Sequence, residues 1–117
     1  MSYVLLIVEP SGQRAERGRA AGEAAYASMQ RFAAGLEARG VLRAVESLTS
    51  TSDAVRVERR EDRRSLIDGP FAEAKEMVGG FFLLDGVSRE EAIEIAAECP
   101  AAAWAAVEVR EVGPCWK

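Results

Sequence analysis

The chain has 117 residues, 49% apolar and 29% charged, a composition that can bury one core and excludes predominant disorder. Its net charge of −4 argues against a general electrostatic grip on DNA or RNA. It contains no histidine, which removes histidine general bases, Ser-His-Asp triads, Cys-His dyads and histidine metal ligands together.

Tyr3–Val8 is a continuous apolar run followed by Glu9-Pro10-Ser11-Gly12, the pattern of a buried central strand closed by a turn. Gln13–Gly22 is charged and holds two glycines, so it reads as a loop grading into a helix that runs from about Arg19 to Arg39. Ala21, Ala25, Met29, Phe32 and Leu36 share one face of that helix, and Gly40 suits its C-terminal stop. Val41–Leu48 reads as a second strand with Leu42, Ala44 and Glu46 on one side. After a polar connection, Ala54–Arg59 and Arg64–Ile67 form the arms of a hairpin turning at Arg60–Arg63. The mixed-sign charges there mark a solvated tip rather than a phosphate-binding patch.

Asp68-Gly69-Pro70-Phe71 is a sharp turn, and Ala72–Met77 has helix-forming residues for a turn or two. Gly79-Gly80 interrupts that stretch before the buried strand Phe81–Leu84. Ser88 and Glu91 have capping-box spacing for a helix that ends near Cys99, with Ala92, Ile95, Ala96 and Cys99 inward. Trp104–Val112 supplies a last strand, with Val107 and Val109 inward.

This order predicts an α+β chain: a single domain, residues 1–117, built as a ferredoxin-like α/β sandwich with an inserted β-hairpin. Both helices cover one sheet face, so the other calls for a second subunit, and a homodimer is expected. No stretch is long enough to span a membrane, and the start of the chain does not read as a signal peptide. Cys99 and Cys115 lack CxxC spacing, which suits reduced thiols and a cytoplasmic setting. No organic cofactor and no transition metal are expected; a carboxylate-only Mg²⁺ or Ca²⁺ site is the exception left open.

The candidate site is the turn around Asp68. Gly69 and Pro70 fix a chain reversal and Phe71 anchors it, so Asp68 is displayed at a defined angle. Lys75 follows nearby, and Gly79 and Gly80 allow backbone or ligand to come close. A carboxylate, an ammonium and open backbone make a small polar pocket in which Asp68 would act as acid or base, with Gly69, Pro70, Phe71, Lys75, Gly79 and Gly80 binding the ligand. The competing reading makes Asp68 a turn cap only. Glu46 is a weaker candidate, and Cys115 lacks the basic setting of a reactive thiol.

The string Asp68-Gly69-Pro70-Phe71, then Ala72-Glu73-Ala74-Lys75-Glu76 and Gly79-Gly80-Phe81-Phe82-Leu83-Leu84, resembles the DGPF family of the YCII-related superfamily. Tyr3–Val8, Gly40-Val41-Leu42, Glu91-Ala92, Cys99-Pro100-Ala101 and Val107–Arg110 extend the likeness over nearly the whole chain. The resemblance implies a bacterial protein forming a dimeric α+β barrel, two subunits with their sheets face to face. Members are mostly uncharacterised and often encoded near extracytoplasmic-function sigma factors. Some wider relatives resemble muconolactone isomerase-type enzymes with a histidine–aspartate pair. With no histidine here, that mechanism does not carry over, and Asp68 is the motif residue left for any catalysis. The functions this leaves are a small-molecule-binding homodimer, as an enzyme acting on a small organic acid, or a non-catalytic ligand sensor or partner in a sigma-factor system.

Overall fold

The computed structural model describes residues 1–117. Four strands form one antiparallel sheet: β1 (Ser2–Pro10), β2 (Leu42–Ser47), β5 (Glu76–Asp85) and β6 (Ala106–Glu111), in the spatial order β2-β5-β1-β6. Two further strands, β3 (Val55–Arg60) and β4 (Arg63–Asp68), pair only with each other. The helices are α1 (Gln13–Arg17), α2 (Arg19–Ala38) and α3 (Arg89–Glu98). This is an α+β fold with an antiparallel sheet and three helices, in the ferredoxin-like strand order.

Alternation along β1 decides which face is the core. Tyr3, Leu5 and Ile7 are buried, as are Phe82 and Leu84 of β5, and Ala92, Ile95, Ala96 and Cys99 of α3 complete that layer. The helix α3 starts on its capping box: Glu91 N donates to Ser88 Oγ and Ser88 N to Glu91 Oε1, both at 3.1 Å. The longer helix α2 touches the sheet mainly through its C-terminal half, where Leu36 is buried and Phe32 meets Phe82 edge-on at 5.5 Å. It stops at Gly40, whose φ of 75° is a left-handed turn that a side chain disfavours.

The opposite sheet face has no helix over it. The register pairs Val4 with Leu83, Leu6 with Phe81 and Val8 with Val78, giving an apolar strip along the two central strands, flanked by Glu46 on β2 and by Glu108 and Arg110 on β6. The β3–β4 ribbon carries exposed residues throughout. Its presence fits a radius of gyration of 16.0 Å, against about 13 Å for a compact domain of this length.

Several boundaries differ from the sequence reading. Gln13–Arg17 is a helix rather than a loop, bracketed by the left-handed glycines Gly12 and Gly18. The ribbon turns at Glu61-Asp62, both with positive φ, as a two-residue hairpin turn requires. Ala72–Met77 is not helical: Ala72 and Glu73 form a turn closed by Ala74 N donating to Phe71 O, and Glu76 already belongs to β5. Because β1 extends to Pro10 and pairs Glu9 with Met77, ladder pairing overrides local helix propensity. For the same reason Gly79 and Gly80 lie within a ten-residue strand, at a register shift, instead of breaking a helical stretch ahead of it. A second irregularity between Leu42 and Ala44 puts Leu42 opposite Leu84 and Ala44 opposite Leu83, on different faces.

Candidate functional site

The N-terminal half of α2 does not close on the sheet, and a cleft of about 860 Å³ opens between them. Ile7, Gly79 and Gly80 line its sheet side, Ala25 and Met29 the α2 side, and Trp104 its far end. Gly79 and Gly80 offer the cleft no side chain of their own, and the room a Cβ would need at Gly79 is taken by Glu9 and Arg14.

Glu9 is the buried acid of the molecule, 4% exposed, and it lines this cleft. It continues the inward alternation of Tyr3, Leu5 and Ile7, so the strand that builds the core also delivers a carboxylate into it. Arg14 of α1 meets it: Nε donates to Glu9 Oε1 at 2.6 Å and Nη2 to Oε2 at 3.4 Å. The same guanidinium donates to the carbonyls of Leu48 at 2.7 Å and Gly79 at 3.3 Å. One arginine thus ties β1, β5 and the end of β2 together, and a buried carboxylate has the partner that burial demands.

Arg17 follows Arg14 by three residues and sits over the Trp104 ring, 5.7 Å from its centroid. Gln13, one turn earlier, donates from Nε2 to the Trp104 carbonyl at 2.7 Å. The short helix α1 therefore positions all three of these polar side chains. Sequence reading overlooked it because four charged or polar residues and one alanine between two glycines carry no apolar period. The legible signal was Glu9 itself, an acid at an inward position of a buried strand.

The residues expected to form a site divide into two places. Gly79 and Gly80 are buried and line the cleft. Asp68 ends β4, exposed and paired with Val55 in the ribbon ladder. Gly69 donates its N–H to Ala54 O at 2.7 Å, and a Cβ there would overlap the Thr51 carbonyl, so glycine is needed for this close approach. Pro70 and Lys75 are exposed, and Phe71 lies under the Arg56 guanidinium at 3.8 Å. None of Asp68, Gly69, Pro70, Phe71 or Lys75 lines the cleft. Glu46 borders it, but its ladder partner Phe81 places it on the opposite sheet face. No three His, Cys, Asp or Glu side chains converge as a metal-binding group, and no helix is long and apolar enough to cross a membrane.

A family model described as the YCII-related domain matches residues 1–115. The chain belongs to the YCII-related family. This YCII-related chain is also 39% identical over 57 residues to an uncharacterized protein of Rhizobium meliloti (strain 1021), a stretch covering 49% of this chain and 46% of that relative. The chain therefore spans about half the length of the curated relative it matches.

Proposed function

We propose that this YCII-related protein binds a small molecule in the cleft between α2 and the sheet. The observation that supports this reading is the Glu9–Arg14 pair at the base of an open cavity of ligand size. An ion pair costs desolvation wherever it is buried, and here the structure leaves room above it. The Asp68-Gly69-Pro70-Phe71 string favours the DGPF branch of the family. The bare strip of Val4, Leu6, Val8 and Leu83 favours a homodimer with sheets face to face, which would complete a dimeric α+β barrel. On this reading the polar chemistry centres on Glu9 and Arg14, with Asp68 outside it.

The test is a thermal-shift screen of a metabolite library against the parent and an Ala25→Trp variant, whose indole would fill the cleft. Ligands of the folded state raise the melting midpoint. Hits for the parent that disappear in an equally stable Ala25→Trp support the cleft. Hits that persist in the variant place binding elsewhere.

A further inference from the structure

Six charged side chains border the cleft: Glu9, Arg14, Arg17, Arg19, Glu23 and Glu46. Glu9 and Arg14 pair at 2.6 Å, and Arg19 and Glu23 pair at 2.8 Å. Glu46 belongs to the other sheet face by its pairing with Phe81. Arg17 alone is left on the helix side without an ion-pair partner. Its Nε is closed to solvent and unpartnered, as is Gln13 Oε1 of the same short helix, so the charge left for the cleft is that of the guanidinium's outer edge. Its stacking on Trp104 holds the guanidinium in place, so little side-chain freedom is lost when an acceptor arrives. The apolar part of the wall beyond it is Ala25, Met29, Ile7 and Phe82, with Tyr26 and Gln30 as polar groups on the α2 side.

We propose that the cleft takes a monocarboxylate with an aromatic or branched apolar body, its carboxylate held by Arg17 and its body laid against Met29 and Ile7. This rests on the cleft being the binding site. One unpaired guanidinium neutralises one negative charge, and the other two cations at the cleft, Arg14 and Arg19, are already taken by Glu9 and Glu23. A monoanion is therefore favoured over a phosphate dianion. Arginine is suited to the task because its planar fork matches a carboxylate.

The experiment is an amide-resolved NMR titration of the full chain with phenylacetate, phenylacetamide and phenyl phosphate, on the parent and on Arg17→Gln. The expected result is that phenylacetate shifts the amides of residues 17–29 and binds at least about tenfold tighter than phenylacetamide, the usual worth of a charge-assisted hydrogen bond. Phenyl phosphate binds more weakly than phenylacetate. In Arg17→Gln the advantage of phenylacetate over phenylacetamide disappears while signals of α3 stay at their parental positions. Should Arg17→Gln fail to fold, the comparison of the three probes on the parent decides the matter. Equal binding of acid and amide, or preference for phenyl phosphate, overturns the assignment of ligand charge and leaves the cleft as the binding site. Silence of the cleft amides toward all three probes overturns the monocarboxylate assignment, and the library screen with Ala25→Trp then separately decides the cleft.

Discussion

The Glu9 carboxylate occupies the space that a side chain on Gly79 would need. A Cβ at position 79 would overlap Glu9 Oε2 and come within 2.8 Å of Arg14 Nη2. The glycine in β5 and the acid in β1 are thus one packing solution, and the Gly79 carbonyl that accepts from Arg14 closes it.

Gly79→Ala is therefore expected to push the ion pair out of register and lower the urea midpoint. Removing one partner leaves a buried charge unmatched, so Arg14→Ala is expected to cost about 2–3 kcal/mol. That is below the fully buried case because the Arg14 side chain is 29% exposed. Adding Glu9→Gln to Arg14→Ala should recover part of the loss in a double-mutant cycle. Strict additivity of the two single changes would show that the pair is not coupled.

The two thiols should react very differently. Cys99 is buried beside Met29, its Sγ 3.8 Å from the Met29 sulfur, while Cys115 is exposed. Burial pushes the Cys99 thiol pKa up, against the backbone N–H groups of Ala101 and Ala102 that pull it down. The thiolate is the reactive form. One equivalent of a thiol reagent should thus be consumed quickly at Cys115 and the second only on unfolding. Rapid labelling of both in the native protein would contradict the burial of Cys99 against Met29.

Acid should weaken two specific junctions. Asp85 accepts from Ser2 Oγ at 2.8 Å and Gly86 N at 3.0 Å, with Arg43 at 4.0 Å, and these hold its pKa below the usual carboxylate value. The Ser88 backbone and hydroxyl do the same for Glu91. A carboxylate depressed in the folded state adds stability above its unfolded pKa, and that stability is lost as pH falls through the folded one. The stabilisation at both sites should accordingly fade below the ordinary carboxylate range. Ser88→Ala should cost about 1 kcal/mol at neutral pH, and Glu91→Gln, which removes the titrating carboxylate, should flatten the acid limb of a stability–pH curve. An unchanged slope would show that the capping box does not titrate with folding.

The bare sheet strip gives a prediction about assembly. The parent should elute and scatter as a dimer at micromolar concentration, and Leu6→Arg, placed opposite Phe81, should elute as a monomer with its helical signal kept. A charge at the centre of an apolar face is poorly tolerated by an interface. A parent that is monomeric by both measures would remove the barrel.

Asp68→Asn separates the two locations considered for the site. It keeps the turn oxygen and removes the charge. Since Asp68 lies outside the cleft, hits of the library screen should bind this variant with parental affinity. A loss of affinity would bring Asp68 back into the site.

Much of the architecture was legible in the sequence because it is written in local periods. The alternation of Tyr3, Leu5 and Ile7, the Ser88–Glu91 cap and the inward stripe Ala92, Ile95, Ala96 and Cys99 each depend on residues a few positions apart. A need for glycine at position 69 was legible too, but as a matter of backbone angles, whereas the structure puts a bend there and requires glycine because the Thr51 carbonyl crowds it. The segment's position relative to the cleft was not. Whether an acid is buried with a partner depends on contacts between segments far apart in the chain. Glu9 and Gly79 are brought together by β1–β5 pairing, and Arg17 and Trp104 by the docking of α1 on the turn before β6. Sequence periodicity reports which face a side chain takes. Only the tertiary fold decides what faces it, because ladder pairing and packing act between elements whose register no local pattern encodes.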